Sequence, residues 1–159
     1  MAVVVRDAAH SDAPLILKFI ADLAEYEHLS HEAVATVPDI ERELFGANPK
    51  VFCQIAEQDG APAGFALWYY TFSTFQGRHG IWLEDLFVDP LLRGAGVGKA
   101  LLVDLAQRCV REGLGRFEWA VLDWNQPSID FYTRQGAIFL DDWRRCRVHG
   151  EALQKLGAK

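Results

Sequence analysis

The residues of this chain best suited to chemistry form one glycine-rich segment, Arg93-Gly94-Ala95-Gly96-Val97-Gly98-Lys99. The apolar run Leu83–Val88 before this segment is typical of a strand. The apolar residues after it have the spacing of an amphipathic helix. Glycines in such a place let the backbone approach a ligand closely, and the start of a helix offers unpaired N–H groups and a positive dipole end to an anion. The segment therefore predicts a site for a phosphate-bearing cofactor, with a plain glycine-rich turn as the alternative.

Two well-known phosphate-binding motifs do not fit this segment. A Walker loop needs a glycine where Arg93 stands, and Ala100 replaces the hydroxyl residue that would hold magnesium. A dinucleotide-binding motif needs its third glycine where Lys99 stands. The pattern that remains is Arg-x-x-Gly-x-Gly, formed by Arg93, Gly96 and Gly98.

A second candidate segment, Trp124–Ala137, reads as a short capped helix. Asn125 is a good helix cap, Pro127 in the first turn has no N–H to leave unpaired, and Gly136 can end the helix in the left-handed conformation. Tyr132 lies between these two ends, beside another aromatic residue. A surface helix with an aromatic anchor is the alternative interpretation.

The elements that must position both segments alternate between strand-like and helical patterns. The expected strands are Val3–Arg6, Val51–Glu57, Ala63–Phe72, Ile81–Val88, Phe117–Leu122 and Trp143–Val148. The expected helices are one capped by Ser11 or Asp12, then Pro38–Phe45, one from Val97 to near Gly113, and Pro127–Arg134. Asp59-Gly60 is typical of a tight hairpin turn. This order predicts a mixed α/β fold with an antiparallel first half and a β-α-β unit around the glycine-rich segment.

The composition limits the classes of protein that the chain can belong to. Its 159 residues, 50% of them hydrophobic, suit one compact domain over residues 1–159. No apolar run approaches the roughly 20 residues that cross a membrane. The cysteines Cys53, Cys109 and Cys146 lie far apart, which is typical of reduced thiols in a cytoplasmic protein. The net charge of −6 argues against a nucleic-acid partner and is compatible with a cationic substrate.

Together the two segments resemble the GCN5-related N-acetyltransferases. In that family a strand, Arg-x-x-Gly-x-Gly, a helix, a strand and Asn-x-x-(Ser/Ala)-x-x-(Phe/Leu)-Tyr-x-x-x-Gly follow in this order, and the match covers Ile81–Ala137. Four segments narrow the resemblance to the diamine (spermidine/spermine-type) and thialysine N-acetyltransferases: Leu23–Glu27, Leu83–Val88, Arg93–Gly98 and Trp124–Ser128. The resemblance implies a mixed, mostly antiparallel sheet flanked by helices, with a β-α-β core that binds acetyl-CoA.

In this family acetyl-CoA lies where two central strands splay apart. By resemblance the backbone of Leu86, Phe87 and Val88 would pair with its pantetheine, and the N–H groups of the glycine-rich segment would hold its pyrophosphate. The N–H of Leu86 would also donate to the thioester carbonyl as negative charge develops on it. The expected acetyl-CoA-binding residues are Leu86, Phe87, Val88, Arg93, Gly94, Ala95, Gly96, Val97, Gly98, Lys99, Asn125, Ser128 and Tyr132.

The implied reaction is the attack of a neutral amine on the thioester. An alkylammonium has a pKa near ~10.4, so about one part in a thousand is free amine at neutral pH, and a base is useful. The resemblance makes Glu84 the candidate base, acting through water, and Tyr132 the candidate acid for the leaving thiolate. Asp85 is expected to point to the opposite face from Glu84 if the strand is regular. A structural or merely substrate-attracting carboxylate is the alternative for Glu84, and a packing residue is the alternative for Tyr132.

An acidic slot with an aromatic wall would suit an elongated cation. The residues expected to contact the substrate are Tyr26, Glu27, Glu84, Glu118, Trp119 and Asp142. An ordinary amphipathic helix end is the alternative for the first two. His28 stands where an aromatic residue is common in the polyamine enzymes, so strict spermidine or spermine specificity is not expected.

The resemblance also implies a homodimer with its substrate site near the interface. No metal is expected, because His28 and His31 have no further ligand at a suitable spacing. Three functions are compatible with these patterns: acetylation of a small cationic amine, acetylation of a protein or peptide, and non-catalytic sensing of acyl-CoA. The presence of both Glu84 and Tyr132 argues against the last.

Overall fold

A five-stranded sheet forms the centre of the computed structural model, which describes residues 2–159. The strands run in the order β1 to β5 across the sheet: β1 is Val3–Asp7, β2 is Phe52–Gln58, β3 is Ala61–Ser73, β4 is Arg78–Val88 and β5 is Phe117–Trp119. The first four strands pair antiparallel with their neighbours, and β5 runs parallel to β4. The mixed, mostly antiparallel α/β fold that the sequence predicts is confirmed.

The described residues also form five α-helices, which are α1 Ala13–Tyr26, α2 Val37–Phe45, α3 Val97–Glu112, α4 Gln126–Arg134 and α5 Gly150–Gly157. The chain divides into two compact units, one ending at Leu122 and the other spanning Asp123–Lys159. The first unit contains the sheet and α1 to α3, and the second contains α4 and α5. Within residues 2–159, no helix has the length and apolar character needed to cross a membrane.

Helices cover both faces of the sheet in the first unit. On one side, called the α1 face here, Phe19 of α1 stacks on Phe65 of β3 with ring centroids 5.4 Å apart. Ile40 and Leu44 of α2 join the same buried cluster. On the other side, called the α3 face, the guanidinium of Arg108 in α3 lies 5.1 Å from the centre of the Trp68 ring. The apolar stripes of α1 and α3 are buried, as their spacing predicts.

Two local predictions at turns have different outcomes. Asp59 and Gly60 both adopt positive φ, at 51° and 83°, which confirms the two-residue hairpin turn between β2 and β3. Asp12 does not cap α1 with its side chain. Its carboxylate instead accepts a hydrogen bond from the N–H of Ala9 at 2.7 Å and forms an ion pair with Arg6 at 2.8 Å. The nearby arginine competes successfully for the carboxylate that would have capped the helix.

The pairing of β3 with β4 contains a β-bulge at Glu84. Trp68 pairs with Leu83, and the next residue of β3, Leu67, pairs with Asp85. Glu84 is therefore an extra residue without a partner of its own. Consecutive residues of β3 face opposite sides of the sheet, and each shares its face with its partner on β4. Leu83 and Asp85 therefore face opposite sides, although residues two apart in a regular strand face the same side.

The last part of the chain departs most from the prediction. β5 ends at Trp119 instead of continuing to Leu122, and the strand expected over Trp143–Val148 is absent. The side chains of Trp143–Val148 are exposed and include three arginines, and no strand among residues 2–159 pairs with them. A strand without a partner for its backbone groups is not stable in water. The sequence prediction also missed α5. An ion pair between Lys155 and Glu151, which are four residues apart in sequence and 3.0 Å apart in space, stabilises this helix.

Candidate active site

The C-terminal half of β4 offers backbone hydrogen-bonding groups on the side away from β3. The N–H of Asp89 donates to the carbonyl oxygen of Ala63 at 2.8 Å, which marks a hydrogen-bonded pair at the end of the ladder. Because hydrogen-bonded and non-hydrogen-bonded pairs alternate along antiparallel strands, Phe87 faces β3 with its backbone groups. The N–H and C=O groups of Leu86 and Val88 point the other way.

No strand among residues 2–159 covers this side of β4, which is called the open edge here. β5 pairs with β4 only over Ile81–Leu83, so the ladder ends before Leu86. The carbonyl oxygen of Val88 accepts a hydrogen bond from Nε of Arg93 at 3.3 Å. An extended ligand with amide groups can pair with an edge of this kind as an added strand does. The geometry favours Leu86 and Val88 over Phe87 for that role.

The glycine-rich segment follows the open edge and starts α3. Gly94 and Gly96 both have φ of 85°, and Gly96 is the residue that caps the helix. At this φ an L-residue is strained, and a Cβ at either position would meet nothing within 4 Å, so the loop surface is open. Val97 is only 1% exposed and packs in the core, which leaves its backbone N–H as the group that a ligand can reach. The first N–H groups of the helix, with Lys99 exposed nearby, form a cradle suited to an anion.

Arg93 connects this loop to the end of α1. Its guanidinium lies 4.8 Å from the centre of the Tyr26 ring and 5.8 Å from that of Phe87. Contacts of this kind hold a cation by attraction to the ring face. A residue expected to bind the cofactor therefore contacts a residue expected to bind the substrate.

Carboxylates lie at the end of α1 and on β4. Glu84 is exposed, and its Oε2 accepts a hydrogen bond from Nε1 of Trp82 at 2.8 Å. Glu27 is half-buried at the C-terminal end of α1, and burial raises its pKa. Both carboxylates act electrostatically on Asp85, which places all three near one another. We call Glu27, Glu84 and Asp85 the acidic group.

The two expected substrate residues of β5 face opposite sides of the sheet. Glu118 pairs with Trp82, and Trp119 pairs with Leu83. Trp82 pairs with Tyr69 and faces the α1 side, whereas Leu83 pairs with Trp68 and faces the α3 side. Glu118 is thus on the face of the acidic group, and Trp119 is on the other face.

Asp85 is the residue that sequence reasoning missed. It pairs with Leu67 on the α1 face, and its carboxyl forms no hydrogen bond or ion pair with any residue of the described chain. Burial, the negative charge of Glu84 and that of Glu27 raise its pKa to about 7. The expected regular alternation is wrong at this point, because the bulge at Glu84 changes the face of the residue that follows. Two adjacent carboxylates within an apolar strand were the available signal.

The second compact unit contains the other expected functional residues, which lie on or near α4. Asn125 is 5% exposed and caps the helix, its Oδ1 accepting a hydrogen bond from the N–H of Ser128 at 3.4 Å. Tyr132 is 8% exposed, with its ring 5.5 Å from that of the preceding phenylalanine. Gly136 follows the helix with φ of 92°, which confirms the predicted left-handed end. Asp142 is exposed.

Comparison with known protein families identifies the family to which this chain belongs. The family model described as the acetyltransferase (GNAT) family matches residues 17–137, which is most of the chain. The chain belongs to the acetyltransferase (GNAT) family. The expected α/β fold and the expected membership are both confirmed, and the matched range includes the open edge, the glycine-rich segment and α4.

Similar GNAT proteins include enzymes that act on amines. A thialysine N-epsilon-acetyltransferase from Sus scrofa is 36% identical, with 99% of each chain covered. An L-ornithine N5-acetyltransferase from Arabidopsis thaliana is 30% identical, and the alignment covers 96% of this chain and 86% of that protein. An integron cassette protein from the mobile metagenome of V. cholerae has the same fold, with a TM-score of 0.84, 23% identity and coverage of 100% of this chain and 99% of that chain.

The side chains of this GNAT protein do not suggest a metal centre. Among residues 2–159, no group of three or more histidine, cysteine, aspartate or glutamate side chains could hold a metal ion. His28 and His31 follow α1 and are both exposed. The features that suit a ligand are instead a backbone edge, an anion cradle and a group of carboxylates.

Proposed function

We propose that this GNAT protein transfers the acetyl group of acetyl-CoA directly to a primary amine of a small cationic substrate, namely a diamine, a polyamine or a thialysine-like amino acid. The observation that carries the proposal is the position of the acidic group, Glu27, Glu84 and Asp85, on the strand that also provides the open edge and at the end of the neighbouring helix. A cation is attracted to such a group, and an extended acyl carrier can pair with such an edge.

The residues that would hold acetyl-CoA fit its chemical groups. Leu86 and Val88 offer backbone N–H and C=O groups to its amide-bearing arm. The N–H groups between Arg93 and Lys99 suit its pyrophosphate, as helix starts generally do. From the matching motif we also assign contacts to Phe87, Asn125, Ser128 and Tyr132. Bound acetyl-CoA supplies an activated acyl group as a thioester, and no metal is needed to polarise it.

The proposed chemistry needs a proton acceptor and a proton donor. Glu84 is exposed and accepts a hydrogen bond from Trp82, so its carboxylate is oriented by that contact and can receive a proton from the substrate ammonium through water. Tyr132 is proposed as the acid that protonates the leaving thiolate, because a phenol keeps its proton at neutral pH. The N–H of Leu86 can donate to the thioester oxygen as charge develops there.

The proposed substrate contacts divide into charged and aromatic groups. Glu27, Glu84 and Glu118 provide negative charge on the α1 face. Tyr26 presents its ring at the end of α1, and we retain Trp119 and Asp142 as candidates by resemblance. The two relatives act, by their names, on a thialysine ε-nitrogen and on the N5 of ornithine. Both names favour a substrate with a primary amine at the end of a short chain.

We further propose that residues 1–159 work as one catalytic domain and that two copies form a homodimer in the cytoplasm. The family match runs across the boundary between the two compact units, which supports a single functional domain. Several large apolar side chains of the second unit are exposed, and a second copy would cover them: Ile138, Phe139, Leu140, Trp143 and Val148. The net charge of −6 favours small cations over nucleic acid as partners.

The test is acetyl-CoA turnover, measured as release of free thiol, against a panel of amines. The panel contains thialysine, ornithine, putrescine, spermidine, spermine, lysine and a lysine-bearing peptide. We expect the small amines to be preferred, with kcat/KM at least about tenfold above that of the peptide, which corresponds to about 1.4 kcal/mol of differential transition-state binding. Preference for the peptide would replace the proposal by a protein acetyltransferase, and acetyl-CoA binding without any turnover would replace it by a sensor.

A further inference from the structure

Asp85 occupies a position from which a second carboxyl can act on the amine. The bulge at Glu84 turns Asp85 onto the α1 face, where it pairs with Leu67 beside the core. Its backbone belongs to the hydrogen-bonded pairs with β3, so the side chain, and not the main chain, is its free functional group. The next residue, Leu86, presents its N–H at the open edge. Asp85 is therefore adjacent in sequence to the proposed thioester-binding backbone.

We propose that Asp85 is a second catalytic carboxyl and holds the proton that leaves the substrate ammonium, with Glu84 relaying it. This inference rests on the proposed function and goes beyond it by naming where the proton resides. Glu84 is exposed and already accepts a hydrogen bond from Trp82, whereas the carboxyl of Asp85 is half-buried and has no partner among residues 2–159. A buried carboxylate without a donor has a strong preference for a proton.

The groups around Asp85 explain why it takes up a proton more readily than an ordinary carboxylate. Those on the same face are Glu27 from α1, Glu84 from β4, Cys53 from β2, Tyr69 from β3, Glu118 from β5 and Arg93 over the Tyr26 and Phe87 rings. Burial has the largest effect on its pKa, followed by Glu84 and then Glu27, and together they raise it to about 7. The pKa of an ordinary aspartate is about 6.5 below that of an alkylammonium, whereas the pKa of Asp85 is only about 3.4 below it. The difference favours proton transfer from the ammonium to Asp85 about a thousandfold.

The proton balance of the reaction is complete with these groups. The substrate N–H bond breaks as the proton passes through Glu84 and water to Asp85, and the nitrogen lone pair then forms the N–C bond at the thioester carbon. The C–S bond breaks, the sulfur takes a proton from Tyr132, and the surplus proton of the new amide nitrogen returns to that phenolate. Asp85 releases its proton to solvent and is ready for the next substrate.

The test is the pH profile of kcat/KM for putrescine at saturating acetyl-CoA, in wild type and variants. Wild type is expected to lose activity as pH falls through about 7, because Asp85 is then protonated. Asp85→Asn is expected to lower kcat/KM about 100-fold at pH ~8 and to abolish this acid limb. Glu84→Gln and Glu27→Gln remove negative charges that raise the pKa of Asp85, so each is expected to keep the limb and shift it to lower pH. Glu84→Gln is also expected to lower kcat/KM across the pH range, because an amide cannot relay the proton. Asp104→Asn, a half-buried aspartate on α3, is the matched control with an unchanged profile.

The outcomes separate this inference from the function on which it rests. Retention of the wild-type acid limb in Asp85→Asn, or its loss only in Glu84→Gln, overturns the assignment to Asp85 while leaving the acetyltransferase intact. Absence of turnover by wild type with every amine overturns the proposed function and, with it, the inference. If Asp85→Asn does not fold, the pH profiles of Glu84→Gln and Glu27→Gln test the proposal instead. An acid limb at the wild-type pH in both variants would contradict it.

Discussion

At the scale of single residues, the candidate site contains a carboxyl that works against stability. Asp85 is half-buried, has no hydrogen-bond donor among residues 2–159 and lies near two other carboxylates. A side chain with only a structural role would be more stable as a neutral group there. Costs of this kind are common where chemistry requires a perturbed group.

The first prediction concerns stability. The folded pKa of Asp85 lies above the unfolded value, so the folded state binds more protons between about pH 4 and 7, and the free energy of unfolding decreases as pH rises through this range. We expect Asp85→Asn to be more stable than wild type by about 1–3 kcal/mol at pH ~8 and to show little difference at pH ~4. Urea denaturation at both pH values checks this. A loss of stability at pH ~8 would show that the carboxylate has a stabilising partner.

The second prediction concerns Tyr132. Tyr132→Phe keeps the buried ring and removes the hydroxyl, so we expect kcat to fall about 100-fold while the Kd for acetyl-CoA changes by less than about threefold. Tyr70→Phe is the matched control, because its hydroxyl donates to Glu112 at 2.7 Å on the α3 face. Unchanged turnover in Tyr132→Phe would rule out its role as the acid.

The sequence could indicate residue types at the site but not their directions. Glu84, Tyr132 and the glycines were recognisable from motif spacing, whereas the orientation of Asp85 depends on a bulge that forms only when β3 and β4 pair. The split of Glu118 and Trp119 between two faces follows from strand alternation, which the sequence already contains. Long-range register is the information that local patterns lack.

At the scale of elements, two glycines in the same backbone conformation serve different purposes. Gly60 turns a hairpin with φ of 83°, and Gly96 starts α3 with φ of 85°. A Cβ at either position meets nothing within 4 Å, so a substitution adds backbone strain without a clash. Substitutions at Gly60 and Gly96 therefore cause similar backbone strain, but only the one at Gly96 affects the proposed anion site.

The third prediction uses this pair. We expect Gly96→Ala and Gly60→Ala each to lower the free energy of unfolding by about 1–2 kcal/mol. Only Gly96→Ala is expected to raise the KM for acetyl-CoA, by about tenfold, because only it alters the anion cradle. Chemical denaturation and steady-state kinetics measure the two effects. Equal KM values in both variants would contradict the assignment of the loop.

Local signals were sufficient for most elements of the first unit. Helix stripes, the Asp59-Gly60 turn and the glycine at the end of α3 follow from nearest neighbours in sequence, and the structure confirms them. The error at Trp143–Val148 has a different origin. Its tryptophan and valine have strand propensity, but a strand exists only where another strand pairs with it. Propensity cannot supply that partner.

At the scale of the whole molecule, the second compact unit exposes apolar surface around Trp143, which is 80% exposed. The fourth prediction is that the protein sediments at twice the 17.9 kDa of the single chain. We expect Trp143→Ser to weaken the association, because a large apolar side chain would be lost from the interface. Phe75→Ser, which changes a 97% exposed ring in the first unit, is the control. A wild-type protein that sediments as a single chain would contradict the proposed homodimer.

The central claim is that this GNAT protein acetylates a primary amine of a small cation. The most direct measurement compares thiol release from acetyl-CoA in the presence of putrescine and of its N,N,N′,N′-tetramethyl derivative at pH ~8. Both molecules are dications of similar shape, but only the amines of putrescine keep N–H bonds after losing the first proton, so only putrescine can form a neutral amide. We predict thiol release with putrescine alone, together with a mono-acetylated product. Equal release with both molecules, or none with either while acetyl-CoA binds, would contradict the account.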